Sequence, residues 1–291
     1  MQVWRKMSSM LLAAAIAMAP AAVSGDDAAC GGDGCGYDSC GDAAGLFAHH
    51  GSGGWLASML GESDCETTLG YRVWVGPRWE ERSGYDNGTL GNFPIDGDVS
   101  GVNFGWRSRN VDHLFMSIEG VVVDGAFNTT TGGRTDYDEN QIEALFGYTF
   151  ADDCRTVFVT PYTGFRYRHA ENSVAAFSLQ LDVDQEVWTA PFGIRADALL
   201  SDRLAVGVDA RMQWKIDDTQ SVRANGVPFT TESSTNQITW RIDAPVTLRL
   251  SERLELEMRP YYEWDRFNSN SVARSTGINE YGGALNFIVR Y

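Results

Sequence analysis

The sequence predicts an all-β chain, an antiparallel up-and-down β-barrel of about ten strands, with eight to twelve also compatible with the pattern. Three observations predict it. From Thr67 onward apolar and polar residues alternate, the period of a strand. The connections between these runs are alternately short and long, as they are where strands cross a bilayer between unlike sides. Five tryptophans, Trp79, Trp188, Trp214, Trp240 and Trp264, fall at the long-connection end of their runs, on the apolar face. Amphipathic rings prefer that position in a transmembrane strand. A mean hydropathy of −0.25 excludes a stack of transmembrane helices. The chain has 39 acidic against 23 basic side chains, too acidic to make nucleic acid a natural partner.

Residues 1–24 read as a secretory signal peptide. Arg5 and Lys6 form its positive start, Met10 to Val23 its apolar stretch, and Ala22-Val23-Ser24 its small-residue cleavage site. The apolar stretch is short for a membrane span. Cleavage removes both bases and leaves 21 basic and 39 acidic residues. Residues 25–66 form a Gly- and Cys-rich linker, expected to be largely disordered and to lie in the periplasm. Cys30, Cys35 and Cys40 recur every five residues, followed by His49, His50 and Cys65. The C-x4-C-x4-C spacing is not that of a zinc knuckle, so no metal is expected, and disulfides or a plain linker remain as readings. Cys154 falls in a short turn. Cys65 and Cys154 should share the periplasmic side and are candidates for a disulfide.

Residues 67–291 form the barrel. Runs near 68–80, 99–109, 113–124, 140–151, 156–169 and 186–200 alternate. The clearest run follows. Leu204, Val206, Val208, Ala210, Met212, Trp214 and Ile216 share one face, against Asp209, Arg211, Gln213 and Lys215. Ile238, Trp240, Ile242, Val246 and Leu248 oppose Thr239, Arg241, Asp243 and Thr247. Leu254, Leu256, Met258, Tyr262 and Trp264 oppose Glu255, Glu257, Arg259 and Glu263; a last run covers 279–291. Short turns fall at 110–112, 152–155, 201–203 and 251–253, and long loops at 81–98, 125–139, 170–185, 217–236 and 265–278. Trp106, Phe150, Phe287 and Tyr291 mark the short-turn end, a second aromatic level. Pro77, Pro161, Pro191, Pro245 and Pro260 sit within strands, where bulges are expected because proline cannot donate to a ladder.

The chain resembles the bacterial outer-membrane β-barrel superfamily, in its small porin-like or opacity-like forms. The most specific mark is the end, Tyr281-Gly282-Gly283-Ala284-Leu285-Asn286-Phe287-Ile288-Val289-Arg290-Tyr291. It is similar to the terminal strand read by the barrel-assembly machinery, with an aromatic last residue and apolar residues at every second place. The resemblance implies residence in the cell outer membrane, in contact with lipid and lipopolysaccharide. No subfamily matches residue by residue.

The inward face then carries a charge network: Arg72, Arg78, Arg166, Arg195, Asp209, Arg211, Arg241, Asp243, Glu257 and Arg259, with further bases and acids in near balance. An eight-stranded barrel is just filled by its side chains, and ten is close to that end. A plugged barrel held by networked ion pairs is the leading reading, since a lone buried charge is costly. A narrow pore for small solutes, lined by arginine and carboxylate, is the alternative.

A rim hydrolase is the third reading. The omptin proteases are ten-stranded barrels that need paired carboxylates and an Asp–His pair to activate water. Here His113 lies in a short turn on the wrong side. His169 is at the outer rim with Glu171 and Ser173, but the sequence HAENS lacks the H-x-S spacing of barrel deacylases. No catalytic residue and no cofactor are assigned. Asp96-Gly97-Asp98, Asp136-Tyr137-Asp138-Glu139 and Asp182 to Glu186 are acidic enough to attract Ca²⁺ but lack EF-hand spacing; diffuse cation bridging to lipopolysaccharide accounts for them better. The expected role is structural or surface-interacting, through acidic outer loops toward a ligand the sequence does not name.

Overall fold

The computed structural model describes residues 70–88, 91–109, 114–129, 134–152, 156–176, 179–234, 237–266 and 277–291. The signal-like segment, the Gly/Cys-rich stretch, His113, and both Cys65 and Cys154 lie outside these residues. The described residues form thirteen strand segments: β1 (Gly70–Gly88), β2 (Gly91–Arg109), β3 (Leu114–Thr129), β4 (Arg134–Tyr148), β5 (Phe150–Ala151), β6 (Val157–Ala176), β7 (Leu179–Leu199), β8 (Leu204–Ala224), β9 (Val227–Ser234), β10 (Gln237–Asp243), β11 (Val246–Arg249), β12 (Leu254–Arg266) and β13 (Gly277–Arg290). They make ten barrel strands. β5 continues β4 beyond Thr149, keeping the same register against β6. Likewise β9, β10 and β11 follow one another along β8, and β10 and β11 keep one register against β12 across a break at Ala244-Pro245.

Every strand is antiparallel to its neighbours, and the ring closes where β13 pairs with both β12 and β1. Cα partners can be followed once around it. Tyr71 faces Ser108, then Met116, Phe146, Thr163, Phe192, Met212, Trp240, Trp264 and Asn279, and the path returns to β1 at Ser83, twelve residues beyond its start. A shear of this size over ten strands requires the strands to tilt by roughly 40°.

The alternation sorts side chains by face. β1 turns Arg72, Trp74, Arg78, Glu80 and Arg82 inward, where they are buried, and Tyr71, Val75 and Trp79 outward, where they are exposed. The same division holds on β8, with Asp209, Arg211, Gln213 and Lys215 buried and Val208, Trp214 and Ile216 exposed. A water-soluble sheet buries its apolar face. This barrel buries the charged one and presents Val, Ile, Leu, Phe and Trp outward, the arrangement that suits a hydrocarbon surround.

Two expectations need correction. Among the described residues, four of the five long outer loops, 81–98, 125–139, 170–185 and 217–236, are largely strand. β1 and β2 remain paired to Gly88 and Gly91, β6 and β7 to Ala176 and Leu179, and β8 and β9 to Ala224 and Val227. Polar composition suggested loops there, but backbone pairing continues through these residues. The last hairpin turns at Asn225-Gly226, with φ of 47° and 78°. That is the left-handed pair of a two-residue hairpin turn, for which Asn-Gly is the favoured sequence. The register shifts also fall elsewhere than at the prolines, between Trp188 and Thr189 and between Val222 and Arg223. Pro77 and Pro161 keep their strands in register, since proline removes only one N–H and so only one bond on one side of a strand. Pro245 alone coincides with a break.

Candidate functional site

The lumen is the place where this chain concentrates chemistry. All ten residues of the predicted charge network line it and are buried: Arg72, Arg78, Arg166, Arg195, Asp209, Arg211, Arg241, Asp243, Glu257 and Arg259. Short links join neighbours on one wall. Arg241 reaches Asp243 at 2.7 and 2.9 Å, Arg195 reaches Asp197 at 2.9 Å, and Arg72 reaches Glu255 at 3.2 Å. Asn103 donates to Asn286 at 2.8 Å, and Asn286 donates to Glu257 at 2.9 Å.

Other links cross the lumen. Near the short-turn end, Arg109 of β2 meets Asp197 of β7 at 2.6 Å. Higher up, Arg259 of β12 meets Glu119 of β3 at 2.8 Å, and Arg211 of β8 meets Glu143 of β4 at 2.7 Å. Above these, Arg166 of β6 reaches Glu263 of β12 at 3.4 Å, and Arg82 of β1 reaches Glu139 of β4 at 2.9 Å. Arg168 of β6 lies 3.8 Å from Glu280 of β13, five steps around the ten-strand ring and therefore on the opposite wall. Tyrosines add to the mesh: Tyr162 bonds Asp209, Tyr261 bonds Glu80, and Tyr137 bonds both Arg82 and Glu139. Toward the short-turn end Phe115, Leu145 and Tyr162 pack together within the lumen. Arg107 lies 5.1 Å from the ring centre of Trp74, a cation–π contact in the interior.

Sequence reasoning missed Trp74, Arg82, Arg109, Tyr137, Glu139, Asp218 and Glu280, all buried here. The signal was present. Arg82 continues the series Arg78, Glu80, and Glu139 begins the series Gln141, Glu143, so carrying the period of two past the assumed loop boundaries finds them. The same alternation dissolves one acidic candidate for Ca²⁺. Asp136 and Asp138 are exposed on the outer face while Tyr137 and Glu139 are buried on the inner one. Among the described residues no three His, Cys, Asp or Glu side chains converge as a metal site.

At the outer rim the His169 ring lies 3.1 Å from Glu171, 3.7 Å from Asp184 and 3.9 Å from Glu186. Ser173 donates instead to Asp182, at 2.8 Å. The rim therefore pairs His169 with carboxylates and its nearby serine with another acid.

On the outer face Trp79, Trp188, Trp214 and Trp240 are exposed, Trp264 is half-buried, and Tyr291 is 72% exposed at the end of the last strand. Trp240 stacks on Trp264 with ring centres 6.4 Å apart, and Tyr167 packs against Trp188 at 4.7 Å.

No family model matches the chain, and no curated protein matches it. Among solved structures it is similar to the translocator domain of the autotransporter NalP from Neisseria meningitidis, with 10% identity and a TM-score of 0.44 over 87% of this chain and 98% of that one. It is similar to the transport unit of the autotransporter AIDA-I from Escherichia coli, with 11% identity and a TM-score of 0.45 over 80% and 94%. The outer membrane protein OprG from Pseudomonas aeruginosa is similar at 9% identity and a TM-score of 0.39, over 79% and 99%. The closed ring of pairings, polar within and apolar without, makes this chain a transmembrane β-barrel of the outer-membrane type.

Proposed function

We propose that this protein is a closed, non-conducting outer-membrane barrel that anchors acidic β-hairpins at the cell surface, in a structural or surface-interacting role. The observation that carries the reading is the set of ion pairs crossing the lumen at successive heights, from Arg109–Asp197 to Arg168–Glu280. A solute would have to separate buried charges from their partners to pass, and each broken pair leaves an uncompensated charge. The hairpins are the part left to meet a partner. β6, β7, β8 and β9 continue as one sheet beyond the tryptophan level, tied by Ser173 to Asp182 and by Gln185 to Asp218 at 2.8 Å each. Ala224 stands ten residues past Trp214 on β8, which is on the order of 25 Å of height for a tilted strand. In this reading the short turns and the amino-terminal segment face the periplasm, and lipopolysaccharide surrounds the acidic rim. The exposed terminal Tyr291 serves the barrel-assembly machinery.

Planar-bilayer recording on the refolded mature chain tests it, after a heat-dependent gel shift shows a folded barrel. The expected trace is silent. Discrete, stable conductance steps that change with Arg168→Ala would overturn the closed barrel and make the narrow pore the function.

A further inference from the structure

Just inside the outer tryptophan level, β6, β7, β8, β10 and β12 line a small, partly open cavity of about 10 Å³, room for one occupant the size of a water molecule. Its wall includes Arg166, Arg168, Lys215, Gln213, Thr189 and Glu263, so three cations meet one carboxylate. That carboxylate is already shared, since Glu263 lies 3.4 Å from both Arg166 and Arg241.

Two of the cations, Arg166 and Arg168, meet their carboxylates at longer range. Arg166–Glu263 is 3.4 Å and Arg168–Glu280 is 3.8 Å. Elsewhere in the same lumen Arg109–Asp197 is 2.6 Å and Arg211–Glu143 is 2.7 Å, the length of a full charge-assisted hydrogen bond. Donors are also left over. Gln213 accepts from Arg166 through its amide oxygen, which fixes the amide and leaves its Nε2 without a partner. Thr189 Oγ1 and Arg168 Nε are likewise buried and unpartnered. Buried donors normally find an acceptor. A water molecule would fill the space but would bring two hydrogens of its own to a wall already dominated by donors. A monatomic anion only accepts, and its charge is drawn to the cations of the wall.

We propose that this cavity is a binding site for a single small monovalent anion of the chloride class. The anion would join β6, β7 and β8 through Arg168, Thr189 and Gln213, and so reinforce the upper part of the lumen.

Crystals of the refolded full mature chain grown in sodium bromide test the site directly. The expected result is an anomalous bromine peak between Gln213 Nε2 and Thr189 Oγ1. In solution, the temperature at which the folded band is lost on gels should be several degrees higher in chloride or bromide than in gluconate at matched ionic strength. Gln213→Leu combined with Thr189→Val should abolish that difference while the folded band persists. Should the double variant fail to fold, the bromide diffraction of the unsubstituted chain decides. No bromine peak in the cavity, or equal midpoints in halide and gluconate, overturns the proposal.

Discussion

The pair formed by Arg259 and Glu119 shows what a single residue contributes here. Both are buried, on strands four steps apart around the ring, and their bond at 2.8 Å spans the lumen. Removing one partner strands the other in a place with little water, so Glu119→Ala should cost about 3–5 kcal/mol. Urea unfolding of the refolded barrel measures it. Replacing both, as Glu119→Leu with Arg259→Met, should recover most of that loss, because the desolvation of two charges disappears along with their attraction. A double variant as unstable as the single one would mean that the pair itself, and not the orphaned charge, holds the walls together. Outside the membrane, Asp152 acts through a different balance. It accepts backbone N–H bonds from Thr156 at 2.7 Å and Val157 at 2.8 Å, and the Thr156 hydroxyl at 2.9 Å. These bonds outweigh its slight burial and hold its carboxyl below the ordinary range. A depressed acid contributes stability above its unfolded pKa, lost as pH falls through the folded one. Acidification below about pH 4 should therefore weaken the chain by an amount that Asp152→Asn removes, read by acid titration of both proteins.

Neighbouring strands place like charges side by side in the outer sheet. Asp124 faces Asp138, Asp138 faces Glu171, and Glu171 faces Asp184, on β3, β4, β6 and β7. Directly opposed like charges oppose pairing. Partial burial first, and then the charges of Asp124, Glu171 and Asp136, push the Asp138 carboxyl up. For a raised acid the sign reverses: the protonated form suits the folded sheet, and stability falls as pH rises through its pKa. Asp138→Asn should stabilise the barrel at neutral pH by about 0.2–1 kcal/mol and change little in acid; a loss of stability at neutral pH would show that the row is held by something other than these side chains. The turn of the β8–β9 hairpin rests on Gly226 at φ 78°, and Asn225 ties it to Gln180 of β7 through bonds of 2.8 and 2.9 Å. Gly226→Val should loosen this tip to proteases and leave the heat-resistant barrel intact. Elements differed in how far their sequence revealed them. The membrane part of each strand was legible because hydrocarbon outside and charge inside force opposite chemistry on alternate residues. Above the membrane the outer face is polar as well, the contrast fades, and strands read as loops; there the alternation that buries Arg82, Tyr137 and Glu139 and the Asn225-Gly226 pair still carried a structural signal. Likewise Arg168 could be placed inward from sequence, whereas its partner Glu280 could not, because the two meet across a ring that no local pattern encodes.

For the whole barrel, the shear decides which residues share a height. The path of Cα partners climbs twelve residues in ten strands, about 1.2 per strand, so residues at one level must depart from the path by that amount as the ring is followed. Trp264 lies on the path; Trp214 stands two residues above it on β8, two strands earlier, and Trp188 four above it on β7, three strands earlier. The climb over those intervals is about 2.4 and 3.6 residues, so the three rings come to within half a residue of one level. Trp240 falls about one residue lower, and Trp79, four below the path on β1, about one and a half. Tryptophans scattered along five strands thus form one belt only if the ring closes with this stagger. We propose that the belt marks the outer membrane interface, which makes depth measurable. In variants that keep one tryptophan each, bromine near the lipid headgroups should quench Trp188, Trp214 and Trp264 to similar extents and more strongly than bromine near the chain ends. Trp74, buried in the lumen beside Arg107, should be quenched by neither. Quenching of Trp74 from the lipid side would require the faces to be exchanged. Unequal depths among the three outer rings would require a different shear, and with it a different set of charges meeting across the lumen.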